Sequence, residues 1–381
     1  MKSPFTFDYI IIGNGLAGLQ LALAFAEDSY FKNKKIALID KSRKSTNDKT
    51  WSFWEKEDGK WDHLISKSWN EALFFSSKQK LELNLSPYQY KSIRAIDFYN
   101  NAKTQLKSKS NFHFIIDNVL STEEGTKPIV TTSKSKYTAN HVFDSRLTKD
   151  YFNKKDKYTI INQHFKGWII ETETTAFNPE VFTMMDYRIK DNNQTTFTYV
   201  LPLSQNKALV EFTYFTPKIV EDHIYDRYLK LYISDILKIE NYKITEEESG
   251  NIPMTTFPFE NYSSKNITKI GTGGGWVKGS TGYSFKHTEK KITQIVSNIK
   301  EGKRPTYGLF KKRYKFYDKI FLKVLHDNNE NGEWIFKQFY AKNSVNTMFS
   351  FLDENSSFKD ELKIMMSLFS FSFIKAFFKT L

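Results

Sequence analysis

Cysteine is absent from this chain of 381 residues. Disulfides, thiolate nucleophiles and thiolate metal sites are therefore excluded, and a cytoplasmic location fits the composition. The chain also has no uncharged apolar run long enough to cross a bilayer. Its first residues lead straight into an apolar strand pattern, without the charged region, apolar core and cleavage site of a signal peptide. We therefore expect a protein without a transmembrane segment.

Arginine is scarce, since most of the 56 basic residues are lysine. The excess over 43 acidic residues gives a net charge of +13. Specific recognition of bases and phosphates favours the arginine fork, so we predict no nucleic-acid partner. The charge fits a solvated surface or attraction to an anionic membrane. The histidines have no metal-ligand spacing and no Ser–His–Asp arrangement stands out, so we expect no metal site.

Aromatic residues, in contrast, are abundant at 16% of the chain, most of them phenylalanine (34) and tyrosine (21). This composition suits either a large aromatic-lined cavity or an ordinary aromatic core. Three aromatic residues fall within 51–54, at the end of a polar loop predicted at 41–50. There Trp51 and Phe53 would either line a flavin or substrate site or plug the loop.

The segment from Phe7 to Asp40 has the pattern of a βαβ unit that binds a dinucleotide. An isoleucine-rich run at 7–12 predicts a buried parallel strand, and an alanine- and leucine-rich run to residue 26 predicts a helix. Between them stands Gly13-Asn14-Gly15-Leu16-Ala17-Gly18. Its glycines would allow the tight turn, the approach of a pyrophosphate and the packing of the helix on the strand. The second strand ends at Asp40, whose carboxylate would accept from a ribose hydroxyl. A glycine-rich turn that binds nothing is the alternative.

A second glycine-rich stretch begins near residue 267 and precedes a helix predicted from about residue 289. A glycine-rich turn before a helix can also approach a cofactor closely. The candidate cofactor-binding residues are therefore Gly13, Gly15, Leu16, Ala17, Gly18, Asp40, Gly274, Thr281 and Gly282.

Strand patterns dominate the chain between these two stretches. Residues 163–215 are predicted to be all-β with a hairpin at 204–207, residues 244–254 predict a strand and a turn, and residues from 311 onward predict helices. We therefore predict an α/β protein in three parts. They are a discontinuous nucleotide-binding domain at 1–60, 88–150 and 265–300, a β-rich substrate domain at 61–87 and 151–264, and a helical C-terminal region at 301–381.

Glu211 is a single carboxyl group in an apolar strand pattern at 208–215, neither face of which has the pattern of a solvent face. Burying it ionised and unpaired would be costly, so it should stay protonated or find a partner. A protonated carboxyl group with a raised pKa is a good proton donor at neutral pH. A glutamate paired with a lysine or a backbone donor for structural reasons is the alternative. Asp186 is a second acid beside apolar residues.

Six motifs occur together in one order along the chain. They are Gly13-Asn14-Gly15-Leu16-Ala17, Thr50-Trp51-Ser52-Phe53, Met185-Asp186-Tyr187, Tyr199-Val200-Leu201-Pro202-Leu203-Ser204, Leu209-Val210-Glu211-Phe212-Thr213 and Thr281-Gly282-Tyr283-Ser284. Their order and spacing resemble the flavin-dependent lycopene cyclases of bacteria and plants, from about residue 8 to residue 284, and the helical tail is similar to that of the bacterial members. Trp51, Phe53, Asp186 and Tyr283 fall within these motifs and are the candidate substrate-lining residues.

The resemblance implies a fold like that of the aromatic-hydroxylase flavoproteins, with a Rossmann-like FAD-binding domain. It implies reduced FAD in a redox-neutral reaction, NAD(P)H as the electron source, and conversion of linear lycopene to β-carotene through γ-carotene. The family's essential acid matches Glu211. Plant-type members carry a second acid directly after it, and here that place is Phe212. The usual histidine before Thr50-Trp51 is Lys49, to which no role is carried over.

Two other functions share much of this pattern. An FAD-dependent monooxygenase acting on an apolar isoprenoid or aromatic substrate would consume one NAD(P)H and one O₂ per turnover, and would not need a buried acid at position 211. A flavin-binding protein that only carries a lipid is the third hypothesis. Other enzymes of the carotenoid pathway are candidate partners of the cyclase.

The last twenty residues combine apolar bulk with Lys363, Lys375 and Lys379. This composition fits an interfacial helix drawn to anionic lipid, on the inner face of the cell membrane. A C-terminal helix docked on the protein's own core is the alternative.

Overall fold

A computed structural model describes residues 5–381, apart from the side chain of residue 155. The first four residues of the predicted nucleotide-binding domain lie outside this range. The strands are β1 (Phe5–Ile12), β2 (Ile36–Asp40), β3 (Thr50–Glu55), β4 (Lys67–Trp69), β5 (Glu71–Phe75), β6 (Lys80–Asn84), β7 (Gln89–Arg94), β8 (Phe112–Ile116), β9 (Val119–Glu123), β10 (Ile129–Thr132), β11 (Lys136–Asp144), β12 (Ile160–Glu171), β13 (Val181–Asp186), β14 (Thr196–Ser204), β15 (Lys207–Thr216), β16 (Lys243–Thr255) and β17 (Ile267–Lys269).

The helices are α1 (Leu16–Glu27), α2 (Ala95–Lys107), α3 (Lys149–Asn153), α4 (Asp222–Asp235), α5 (Phe285–Lys300), α6 (Lys312–Asp327), α7 (Gly332–Lys342), α8 (Val345–Leu352), α9 (Phe358–Ser367) and α10 (Phe371–Thr380). The predicted helices therefore form, with α5 beginning four residues before the expected position and the tail divided into five helices.

The first sheet has the strand order β8-β2-β1-β11-β10-β9, with β17 beside β11. The pairs β1–β2, β2–β8, β1–β11 and β11–β17 are parallel. Ile10, Ile11 and Ile12 at its centre are buried in two different hydrophobic clusters, Ile11 on the side of α1 and α5 and the other two on the opposite side. Burial on both faces explains why the run is continuously apolar rather than alternating.

The second sheet has the order β16-β12-β15-β14-β13-β5-β6 and is antiparallel except for the pair β13–β5. On β15, Val210 and Phe212 pack against α4, while Leu209 and Phe215 belong to the cluster that includes the C-terminal helices. Neither face of this strand is exposed to solvent, as the sequence predicts.

Two segments differ from the sequence-based expectation. Residues 51–54, expected at the end of a loop, belong to β3, which pairs with β7 and forms a three-stranded sheet with β4. The predicted turn within 244–254 is also wrong, because β16 runs unbroken beside β12. As an edge strand, β16 tolerates Gly250 and Pro253, which otherwise signal a turn.

Candidate functional site

A cavity of about 370 Å³ lies between the two large sheets. It brings together nine of the predicted site residues, which are Gly15, Leu16, Ala17, Gly18, Trp51, Glu211, Thr281, Gly282 and Tyr283. Ser145, at the end of β11, also lines it. The cavity therefore joins the N-terminus of α1 to the buried acid on β15.

The turn before α1 gives the cavity a polar end. A side chain at Gly15 would meet no atom within 4 Å, so the backbone there faces open space. A Cβ at Gly18 would lie 1.9 Å from the carbonyl oxygen of Gly13, so this glycine allows the helix to pack against the turn. The first-turn N–H groups and the positive end of the helix dipole together favour an anionic group such as a phosphate.

Asp40 lies at the end of β2, beside this turn but outside the cavity lining. Its Oδ2 accepts the backbone N–H of Asn14 at 2.6 Å and its Oδ1 accepts that of Ser42 at 2.7 Å. Through its hydrogen bond to Asn14, the carboxylate holds the turn before α1 in place. Each carboxyl oxygen has two lone-pair sites, so capacity to accept a further hydrogen bond remains.

The second glycine-rich stretch closes over α1. Gly271 brings its backbone so near that an added Cβ would lie 3.0 Å from the Cβ of Ala17. Gly271 and Thr272 line the cavity, whereas Gly274 faces the carbonyl oxygen of Lys269, which an added Cβ would approach to 2.5 Å. Gly274 therefore packs against β17 instead of lining the cavity.

Several buried polar atoms around the cavity fit a bound ligand. Among residues 5–381, Gln163 Oε1, Thr281 Oγ1 and Trp276 Nε1 are buried without a hydrogen-bond partner, and all three residues line the cavity. Unsatisfied buried groups are costly, and a ligand with polar ring atoms would satisfy them. With the helix N-terminus at the other end, the cavity offers donors and acceptors to an extended dinucleotide.

Glu211 lies on β15 at the side of this cavity and is only 9% exposed. Its Oε1 accepts a hydrogen bond of 2.8 Å from the Thr213 hydroxyl. The second carboxyl group in contact with it belongs to Glu248 on β16, which is 8% exposed. Burial, together with the charge of Glu248, raises the pKa of Glu211 well above its usual range. A neutral, protonated Glu211 therefore faces the cavity at neutral pH.

Glu248 is the residue that sequence reasoning missed. Its Oε2 accepts from the Thr50 hydroxyl at 2.8 Å, within the Thr50-Trp51-Ser52-Phe53 motif. The turn that the sequence predicts here would leave this acid at the surface. One signal was available: a continuous strand through Glu248, Gly250 and Ile252 places these three residues on one face.

A group of tyrosines separates this cavity from a second one of about 560 Å³. Tyr199, Tyr283 and Thr281 line both cavities, and the hydroxyls of Tyr90 and Tyr283 are 3.0 Å apart. Burial raises the pKa of Tyr90 to about 12 and that of Tyr283 well above its usual range, so both phenols stay neutral. The second cavity is lined almost wholly by apolar side chains from the sheet and the tail, including Met184, Phe215, Phe336, Phe349 and Phe373.

Two of the predicted substrate-lining residues line neither cavity. Phe53 is buried and stacks on Phe285 at 4.6 Å between ring centroids. The buried carboxylate of Asp186 forms an ion pair with Arg188 and accepts from the Tyr232 hydroxyl at 2.7 Å. Both residues therefore support the packing around the site. Within residues 5–381, no group of three histidine or carboxylate side chains is arranged to hold a metal ion.

Comparison with known proteins identifies the family of this chain. No curated protein matches the chain in sequence. A geranylgeranyl bacteriochlorophyll reductase-like protein from Thermoplasma acidophilum has a similar structure (TM-score 0.63, 12% identity, 100% of both chains covered). So has a flavoprotein/dehydrogenase from Cytophaga hutchinsonii (TM-score 0.63, 12% identity, 95% of this chain and 99% of that chain).

A third similar structure is a variant of the halogenase PltM in complex with FAD (TM-score 0.61, 10% identity, 98% of this chain and 90% of that chain). At these identities the likeness shows the fold alone, and it confirms the predicted flavoprotein fold class. The family model described as "Lycopene cyclase protein" matches residues 8–377. The chain therefore belongs to the lycopene cyclase family.

Proposed function

We propose that the protein is an FAD-dependent lycopene β-cyclase, which converts linear lycopene to β-carotene through γ-carotene without net oxidation or reduction. The observation that carries the proposal is the position of Glu211. This buried acid lines a polar cavity that suits a dinucleotide, beside an apolar cavity that suits a hydrocarbon. A monooxygenase has no need of a proton donor at that point.

FAD fits the residues of the polar cavity. The N-terminus of α1 from Leu16 to Gly18 would hold the pyrophosphate, and Asp40 would accept from the ribose. Thr281 and Gln163 offer polar atoms to the rest of the cofactor. Reduced FAD supplies an electron-rich ring system that stabilises nearby positive charge, and NAD(P)H would be its source of electrons.

Glu211 would start the cyclisation as a general acid. Its O–H bond breaks as the proton is transferred to the terminal C=C of lycopene, which leaves a carbocation. A neighbouring double bond attacks this cation to close the ring, and a ring carbon then gives a proton back to the Glu211 carboxylate, so the acid is regenerated and the reaction is balanced. The faces of Tyr199 and Tyr283 attract positive charge. Because their phenols stay neutral, no phenolate is present to react with the carbocation.

The apolar cavity gives lycopene a route from the membrane. Phe369 and Phe378 line this cavity and are also largely exposed, which places its mouth at the tail. Phe371, beside them, is 79% exposed. We therefore include docking of α10 on an anionic membrane in the proposal, with Lys375 and Lys379 near the lipid headgroups. Within residues 5–381, no helix has the length and apolar character needed to cross a membrane.

The test is expression in lycopene-producing cells, followed by chromatography of the pigments. The wild-type chain should form β-carotene, with γ-carotene as the intermediate. Glu211→Gln keeps the shape of the side chain and removes the proton donor, so its rate should fall by ~10²–10⁴-fold. Glu247→Gln, on the edge strand β16, is the matched control and should keep the wild-type rate. Near-normal β-carotene formation by folded Glu211→Gln protein would contradict the assignment.

A further inference from the structure

Glu211 and Glu248 face each other across a single glycine. Gly167 on β12 pairs with Glu211 of β15 on one side and with Glu248 of β16 on the other. The two backbones are therefore two strand spacings apart, roughly 9–10 Å. A glutamate on each side can span this distance only if the central position carries no side chain. A Cβ at Gly167 would lie 2.9 Å from Leu209 Cδ1 and 3.3 Å from Glu211 Cβ.

Each carboxyl group has one hydroxyl donor from its own side. Thr213 donates to Glu211 Oε1 and Thr50 donates to Glu248 Oε2, each at 2.8 Å. Because both residues pair with Gly167, their carboxyl groups lie on the same face of the sheet and interact with each other. Two ionised carboxylates in contact in a buried site repel strongly, whereas one shared proton converts the repulsion into a hydrogen bond.

The charged side chains around the two carboxyl groups do not compensate a second negative charge on the pair. Lys49 attracts the charge of Glu248 and Glu246 repels it. On the other side, the phenols of Tyr90 and Tyr199 stay neutral at physiological pH. Arg94 is engaged with Glu246, and Lys166 with the acids of α4, so neither neutralises the pair. A proton is therefore the group that best compensates the second negative charge.

We propose that Glu248 is a positioning residue for Glu211: the two carboxyl groups share one proton over Gly167, which keeps Glu211 protonated and turned toward the cavity at neutral pH. The role in cyclisation rests on the proposed function. The proton sharing does not, since it is a property of the protein without substrate. The residue directly after Glu211 is Phe212, which packs against α4 on the other face of the sheet, so the carboxyl group beside Glu211 comes from β16.

The first test is an infrared titration of the purified, substrate-free protein. The band of the protonated carboxyl group is assigned as the one that Glu211→Gln removes. Glu248→Gln removes the neighbouring negative charge and offers an amide donor to the Glu211 carboxylate. We expect the midpoint of the Glu211 band to fall by about one pH unit or more, the coupling typical of interacting carboxyl groups.

Glu247→Gln is the matched control, because this side chain is half exposed and contacts Lys166 on the other face of the same strand. It should leave the midpoint unchanged. If Glu248→Gln does not fold, Glu248→Asp gives the same test, because the shorter side chain withdraws the charge and should move the midpoint part of the way. Equal midpoints in wild-type, Glu248→Gln and Glu248→Asp proteins would overturn the proposal.

The second test is the pH profile of β-carotene formation. Its alkaline limb should move to lower pH in Glu248→Gln by the same amount as the infrared midpoint, whereas a purely structural role would lower the rate without moving the limb. A shifted midpoint with an unchanged limb would refute the positioning role. If the wild-type protein forms no β-carotene but the infrared midpoint still shifts in Glu248→Gln, the proposed function is refuted and the shared proton is supported.

Discussion

At Glu211, the raised pKa has a consequence for the stability of the fold. In the unfolded chain this carboxyl group ionises near the ordinary glutamate pKa of 4.5, while in the folded protein it keeps its proton to a much higher pH. Its contribution to stability is therefore complete below pH 4.5 and is lost as the pH rises through the folded pKa.

We predict that the unfolding free energy of Glu211→Gln falls less than that of wild type as the pH rises from about 5 to 9. The difference from wild type should grow by about 1.4 kcal/mol for each pH unit between the unfolded and folded pKa values. Urea unfolding at both pH values measures it, with Glu247→Gln as the control. Parallel stability curves for Glu211→Gln and wild type would show that Glu211 is ionised in the folded state.

The glycines of the turn before α1 allow a second prediction at this scale. Gly15 faces open space and has an extended backbone that any residue adopts, so Gly15→Val should fold. Its side chain would, however, occupy the space next to the first-turn N–H groups, and bound flavin should be lost. Gly18→Val should instead destabilise the fold, because its Cβ collides with the Gly13 backbone. Flavin absorbance and thermal unfolding of both variants separate the two effects. Stable flavin binding by Gly15→Val would show that the pyrophosphate does not bind at this turn.

At the scale of elements, α10 has two different faces. Its inner face is docked on the protein, with Ala376 buried and Phe377 against Phe316 of α6. Its outer face, with Phe371 and Phe378, is exposed. Docking on the protein's own core and binding to a membrane are therefore compatible, although the sequence offered them as alternatives.

We predict that replacing Phe369, Phe371 and Phe378 by serine releases the protein from anionic liposomes. Each phenylalanine contributes ~1.5–3 kcal/mol when fully buried in an apolar phase, so together they should change binding by more than about a hundredfold. Liposome flotation measures the effect. Serine at Phe152 and Tyr307, which are exposed in other parts of the chain, is the control. Equal flotation of both variants would mean that the tail is not the anchor.

The same scale explains what the sequence could predict. The β1–α1–β2 unit was predictable because its strand, turn and helix are specified by neighbouring residues. The pairing of Glu211 with Glu248 was not, because it depends on two strands meeting β12 at one glycine. Likewise, no residue near Asp186 in the sequence indicates that Tyr232 of α4 donates a hydrogen bond to its carboxylate. Sequence patterns predicted the elements and the acid, whereas partners came from the tertiary structure.

At the scale of the whole molecule, three parts of the chain meet at one acid. The first sheet and α1 form the polar cavity, the second sheet carries Glu211 and Glu248, and the C-terminal helices close the apolar cavity. Tyr199 and Tyr283 stand where the two cavities meet. A cation formed there would be surrounded by aromatic faces and shielded from water, which would otherwise quench it.

This arrangement predicts a reaction that needs a reduced flavin but does not consume it. With chemically reduced FAD and no oxygen, the protein in liposomes that contain lycopene should form many molecules of β-carotene per flavin. The physical reason is that every step of the proposed cyclisation is a proton transfer or a ring closure, so no electrons would leave the cofactor. Glu211→Gln under the same conditions is the control and should form almost none. Consumption of one NAD(P)H and one O₂ for each product would identify a monooxygenase instead, and the shielded acid would then need a different explanation.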